Sequence, residues 1–356
     1  MPKRIFCSLL LILSILPGIA MAQEDTFTLL GLGREAAKAG KLDEAQRYHQ
    51  RAVEAAELSG DPVQLGEAIG DLGGIFLARW RMAEARELCL KALALLRANP
   101  NKRFLPVVLN NLGVISMNRG EYVQSEEFFE ESLQAVRALP RPDPYESRVL
   151  NNLGALYYTL KDLGKAEKNI KKAISVTEKL LGTDSVELAP FLSNLGAINV
   201  LRKKWVDAAN LLGRALLLLE PHPESISLAG VWDNLGMMHH LRRNFAESEK
   251  VLRKAYELRL QLFGPENQVV LVTQVKLAGT LRELGRYEEA EQLLAGALAG
   301  FEKTARLRTV DAAKAMEELA ILLRRTSRGD TAEPLESKAK AIRFDLTHTV
   351  PTALLP

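Results

Sequence analysis

The sequence predicts an all-α fold, a solenoid of about eight helix–turn–helix units of 40–42 residues each. Three observations predict it. A Leu-small pair recurs along the chain, at Leu32-Gly33, Leu72-Gly73, Leu112-Gly113, Leu153-Gly154, Leu195-Gly196, Leu235-Gly236, Leu277-Ala278 and Leu319-Ala320. A small residue follows each pair twelve positions on, from Ala45 and Ala85 through Ser125, Ala166, Ala208 and Ser248 to Ala290 and Ala332. Seven positions further on comes another, at Ala52, Ala92, Ser132, Ala173, Ala215, Ala255, Ala297 and Ala339. Internal repetition at such a period signals stacked supersecondary units and overrides any domain count based on length.

The elements follow in order. Lys3 and Arg4 make a short basic start, Ile5 to Leu16 is an apolar run, Pro17-Gly18 breaks it, and Ala20-Met21-Ala22 closes it with small residues. That is the layout of a Sec-type secretory signal peptide, so residues 1–22 are expected to be removed after Ala22 and the product exported, to a periplasmic or extracellular location. An uncleaved anchor is the alternative, since Ile5 to Ala22 is 18 uncharged residues, marginal for a bilayer span. Cys7 lies at the start of the apolar run, where it cannot serve as a lipoprotein anchor, and a twin-arginine pair is absent.

Residues 23–345 hold the repeat domain. Each unit reads as two antiparallel helices. The Leu fills the groove between them, the small neighbour lets backbones approach, and the small residues of the second helix admit the next unit. Tyr122, Leu163, Trp205, Phe245 and Tyr287 mark starts of second helices, and Gly40, Gly120 and Gly285 fall in the intervening turns, where φ > 0 suits Gly. The last helix, near Thr331–Arg343, is polar enough to cap the array, and residues 346–356, with two prolines, read as a flexible C-terminal tail.

Composition narrows the function classes. The chain is 47% apolar, 26% charged and 6% aromatic, and loss of Lys3 and Arg4 with the signal would lower its formal charge from +3 to +1. A near-neutral protein is not built to hold nucleic acid electrostatically, and without its signal it has no segment for membrane insertion. Only Cys89 of the two cysteines would remain, so the fold must rest on packing.

The spacing of Leu-Gly, aromatic, Ala and Ala resembles the tetratricopeptide repeat (TPR) family, in a longer form than that family's usual period of about 34 residues. The NNLG openings at Asn110-Asn111 and Asn151-Asn152, with the linkers LLGTDSVELAPFLSNLG and LFGPENQVVLVTQVKLAG, are similar to kinesin light chain-like repeats. The resemblance covers about residues 27–343 and departs at the ends: unit one lacks the Asn pair, and Gly329 stands where an aromatic is usual. It implies a right-handed α-solenoid whose first helices line a concave surface that binds a protein or peptide partner.

Candidate partner-binding residues follow from helical phase. With the slot Leu as the core direction, the residues two before and two after it project about 200° away, at about 100° per residue. On the first side stand Asn110, Asn151, Ser193 and Asp233, on the other Val114, Ala155, Ala197 and Met237, and one turn on Met117, Tyr158, Val200 and His240. Immediately before the Leu a second ladder runs through Asn111, Asn152, Asn194 and Asn234. Amides both donate and accept, so these ladders could pair with an extended peptide backbone. They could equally bond neighbouring helices and hold the stack in register.

Other signals carry less. Gly31-Leu32-Gly33-Arg34-Glu35-Ala36 imitates a dinucleotide fingerprint but has no strand before it, and the same residues fill repeat slots. His239 and His240 point about 100° apart on a helix and cannot share a metal, and His240 in the groove could sense acid. Cys89 reads as a small buried hydrophobe. Lys171-Lys172, Arg202-Lys203-Lys204 and Arg242-Arg243 read as solvated turns. No catalytic motif, metal site or cofactor site is expected. The expected function is an exported, non-enzymatic interaction scaffold, with a self-associating structural array or a regulatory or sensory subunit of an envelope complex as the alternative. Oligomeric state is not legible.

Overall fold

A computed structural model describes residues 25–99 and 101–348, with side chains to 344. The expected signal peptide and most of the expected tail lie outside the described residues. Among those described there are sixteen α-helices and no strand, arranged as eight antiparallel pairs. The first helices of the pairs are α1 (Thr26–Lys38), α3 (Pro62–Ala78), α5 (Leu105–Asn118), α7 (Tyr145–Thr159), α9 (Leu188–Leu201), α11 (Ile226–Leu241), α13 (Gln268–Glu283) and α15 (Val310–Arg325). Their partners are α2 (Leu42–Ser59), α4 (Met82–Arg97), α6 (Tyr122–Arg137), α8 (Leu163–Leu181), α10 (Trp205–Leu219), α12 (Phe245–Phe263), α14 (Tyr287–Lys303) and α16 (Gly329–His348). The five residues expected to open second helices do so. The last helix starts at Gly329 and runs on to His348, past the Arg343 end read from the sequence.

The small-residue slots explain the close packing. All sixteen positions on the second helices, Ala45 to Ala332 and Ala52 to Ala339, are buried. The glycine beside each slot Leu meets the residue sixteen further on: a Cβ on Gly33, Gly73, Gly113, Gly154, Gly196 or Gly236 would lie within 2.5–2.9 Å of His49, Cys89, Phe129, Ile170, Leu212 or Leu252. Where the small residue is Ser, its hydroxyl is satisfied by the facing helix: Ser125 donates to Gly113 O at 2.8 Å, Ser248 to Gly236 O at 2.8 Å and Ser132 to Pro106 O at 2.7 Å. A buried hydroxyl without such a partner would cost its desolvation.

The slot Leu is buried at Leu72, Leu112, Leu153, Leu195 and Leu277 and half-buried at Leu235 and Leu319, but Leu32 is exposed. Cys89 is buried as expected, and burial pushes its thiol up to about 12.

Every turn between the two helices of a unit uses one residue of left-handed backbone, at the same place. Gly40, Gly120 and Gly285 have φ of 74°, 79° and 78°, and Trp80, Lys161, Lys203, Arg243 and Ser327 adopt φ of 58–66°. The turn is a Schellman cap: at the first one Gly40 N–H bonds Ala37 O at 3.0 Å and Lys41 N–H bonds Ala36 O at 2.9 Å. Side chains cap several first helices at the other end, with Asp61 accepting from Val63 N–H at 2.8 Å and Asn267 from Val269 N–H at 3.0 Å.

Each first helix packs on its partner, on the second helix of the preceding unit and on the first helices before and after it, whereas second helices do not pack on one another to a comparable extent. The first helices therefore form the inner, tighter layer of the curve, and they line the concave side. The curve brings distant units together. Arg306 Nη2, in the linker after α14, donates to Trp80 O at 2.9 Å across 226 residues of sequence, and Gly40 faces Leu262 of α12. The turns of units one and two thus meet the linkers that follow units six and seven. No described helix is long and apolar enough to cross a membrane.

Candidate functional site

The two polar ladders meet each other. Asn152 Nδ2 donates to Asn110 Oδ1 at 2.8 Å, and Asn194 Nδ2 donates to Asn151 Oδ1 at 2.8 Å. Asn234 Nδ2 donates to Ser193 Oγ at 2.9 Å and to Ser193 O at 3.2 Å. Lys276, one unit on, donates to Asp233. In each case the residue just before the slot Leu reaches back to the residue two before the Leu in the preceding unit. Asn111 has no such acceptor, because the matching place in unit two is Gly70, and its amide lies instead beside Gly74.

This corrects the expected orientation. Asn110, Ser193 and Asp233 do not face an open groove: they are buried, and Asn151 and Asn152 are half-buried. The phase argument treated the slot Leu as the sole core direction. An inner helix has neighbours on three sides, so a side chain about 200° from the Leu meets the next unit's first helix before it meets water. Burial pushes the Asp233 carboxyl up, but Lys276 and Arg259 outweigh it and hold the carboxyl below the ordinary carboxylate range. Arg259 stands 3.6 Å from it.

The apolar lines are also unequal. Ala197 and Val200 of unit five are buried, and Tyr158 is half-buried against a core cluster around Leu153 and Phe191. One cavity of the concave face lies among the later units, where α11, α13 and α15 surround a space of about 400 Å³. Met237, Val272 and Val275 supply apolar wall, and His240, Lys276, Lys314 and Glu318 supply the polar groups. Gly279 sits in the middle of the wall, at the place held by Val114, Ala155, Ala197 and Met237 in earlier units. A Cβ there would make only ordinary contact, 3.4 Å from Glu318 Oε2, so the space in front of it is due to the missing side chain.

The polar groups are fixed by their partners. His240 Nδ1 lies 3.0 Å from Thr280 Oγ1, and its ring meets Phe245 edge-on at 5.3 Å. Burial lowers the His240 pKa, against the pull of Glu318 and Glu283, so the imidazole is neutral at pH 7. Glu318 is buried between Arg282, at 3.1 Å, and Lys314, at 2.7 Å. Lys276 is turned toward Asp233 and Lys314 toward Glu318, so the wall carries no net surplus of charge. Such a site accepts an apolar side chain and aligns polar backbone or side-chain groups at its rim. Among the described residues no cluster of three or more His, Cys, Asp or Glu is placed to hold a metal ion.

Of the groove-facing residues singled out from sequence, Met237 and His240 line this cavity. Lys276, Gly279, Thr280, Lys314 and Glu318 escaped notice. Two signals mark them: the Asn ladder gives way to Lys276 and then Glu318, and Gly279 is small where the preceding unit has Met237. Among the basic clusters, Lys171 and Lys172 lie within α8 and not in a turn as expected, and Arg202 and Lys171 both pair with Glu167.

A tetratricopeptide repeat profile matches residues 104–179, 145–220 and 227–303, together more than half of the chain. No curated protein matches. Among solved structures, a Rap protein complexed with competence and sporulation factor superposes with a TM-score of 0.63 at 11% identity, covering 92% of this chain and 99% of that one. Kinesin light chain repeats from Podosopora anserina give a TM-score of 0.46 at 18% identity over 57% of this chain and 97% of theirs. BtubC from P. vanneervenii gives 0.35 at 18% identity over 78% of this chain and 92% of its own. With eight helix pairs, buried small residues in every slot and three profile matches along the array, the chain belongs to the tetratricopeptide repeat family.

Proposed function

We propose that this protein is an exported interaction scaffold that holds a segment of a protein partner on its concave face, with an apolar side chain of that segment seated in the cavity between α11, α13 and α15. The observation that carries the reading is the cavity itself. It is a place where the inner layer gives up a side chain, at Gly279, and leaves apolar wall and fixed polar groups open to the concave side. A solved protein of the same fold, the Rap protein, is complexed with a factor. The neutral charge balance of the wall favours an uncharged anchor residue over an acidic or basic one. Export rests on the N-terminal pattern, and the mature protein should begin at Gln23 when its N-terminus is sequenced.

The test fills the cavity without harming the helix. Replacing a mid-helix Gly by Leu gains roughly 0.5–1 kcal/mol of helix propensity. Gly279→Leu should therefore keep the helicity and unfolding midpoint of the parent and abolish partner capture from the native envelope fraction. Capture at parental levels by a folded Gly279→Leu protein would overturn the assignment.

A further inference from the structure

The contact between the first two units and the linkers after units six and seven borders a second, half-open cavity, independent of the concave site. Its volume is about 740 Å³, and it lies between the turns of units one and two and the linkers after units six and seven. Lys41, Arg47, Arg79, Trp80, Leu262 and Arg306 are among its walls. Each acid at its edge is already matched: Asp43 by Arg79, Glu44 by Lys41 at 3.7 Å, and Glu266 by Lys303. Arg81 turns to Glu84 at 2.6 Å. Two cations then remain in surplus. Arg47 stands near enough to Asp43 to add to the effect of Arg79, which is the main cause holding that carboxyl below its ordinary range.

Arg306 is the stronger signal. The left-handed turn at Ala305, with φ of 55°, carries Arg306 out of α14 and toward Trp80. Its guanidinium lies 5.7 Å over the Trp80 ring, with Nη2 bonded to Trp80 O. Among the described residues no carboxylate pairs with it. Its Nη1 is buried and has no hydrogen-bond partner among the described residues, and the same holds for Arg79 Nε. A guanidinium that loses water without gaining a counter-charge is destabilised, and burial lowers the Arg306 pKa accordingly. The missing complement is an anion, and guanidinium donors match carboxylate and phosphate oxygens in particular.

We propose that this cavity is an oxyanion site, taking a carboxylate or phosphate group between the first two units and the linker after the seventh. The volume exceeds that of a bare ion and suits a small organic anion, within the roughly 300–1,000 Å³ of small-molecule sites. Because its walls come from the first two units and from the linkers after units six and seven, the occupied site joins them, and binding favours the closed superhelix by mass action.

Isothermal titration of the full mature chain with inorganic phosphate and, separately, with succinate tests this, in chloride buffer of matched ionic strength. At least one of the two should bind saturably at a single site. Arg306→Gln should weaken that binding by about tenfold or more, and Arg47→Gln, which removes no contact across the seam, should weaken it by several-fold. Preference for phosphate or for succinate identifies which oxyanion the site is built for. Absence of saturable binding by both anions would overturn the proposal, as would affinities unchanged in both variants.

Discussion

At the scale of single residues, the slot that faces each small glycine shows how one side chain can set a solution property. Phe129, Ile170, Leu212 and Leu252 fill that slot in units three to six, and unit one places His49 there. His49 is buried, its Nδ1 has no partner among the described residues, and burial, aided by Arg34, lowers its pKa to about 4 from 6.5. The folded state therefore holds fewer protons on this ring than the unfolded chain does between those values. Its contribution is intact above pH 6.5 and is lost as pH falls toward 4, by about 1.4 kcal/mol per pH unit and about 3 kcal/mol in all. Asp71, pushed up to about 7 by burial in spite of Arg34, works in the opposite direction across the whole of that window. The comparison that isolates His49 is thus between the parent and His49→Leu: urea unfolding should show the variant gaining relative stability as pH drops from 6.5 to 4. Parallel curves would refute the assignment. The sequence displayed the slot but not its occupant's state, because periodicity shows which way a side chain points and not whether a partner waits there. The Asn ladders failed for a related reason: phase on one helix does not reveal the neighbouring helix that takes up the side chain.

At the scale of the element, helix starts were legible because Tyr122, Trp205 and Phe245 follow a turn at fixed distance from the slot Leu. The turns were legible only where Gly occupied them. Lys203 adopts φ of 58° in the same cap that Gly120 forms at 79°, since the packing of two helices fixes the turn whatever residue fills it. A left-handed L-residue costs about 1–2 kcal/mol, and Gly loses about 0.5–1 kcal/mol more backbone entropy on folding. Lys203 is exposed, so little else is lost with its side chain. Lys203→Gly should accordingly raise stability by up to about 1 kcal/mol, seen as a higher urea midpoint at an unchanged m-value. A lower midpoint would show that the turn carries no strain.

At the scale of the whole molecule, the repeat count, the period and the all-helical class were readable from slots alone, because each unit repeats the same local packing problem. What was not readable is what the curve brings together: Arg306 and Trp80 belong to no common motif, and the superhelix joins them only by its pitch. The same holds for the binding face. The sequence pointed to units three to six, where polar residues repeat, but repetition there serves the register of the stack, with Asn152 on Asn110 and Asn194 on Asn151. The accessible cavity lies where repetition breaks, at Lys276, Gly279 and Glu318. A photo-crosslinking residue placed singly along the concave layer, at Val114, Ala155, Met237, Val272 and Lys314, measures this directly in the native envelope. Partner crosslinks concentrated at Met237, Val272 and Lys314, with little at Val114 and Ala155, are the predicted result, and crosslinks confined to Val114 and Ala155 would contradict it.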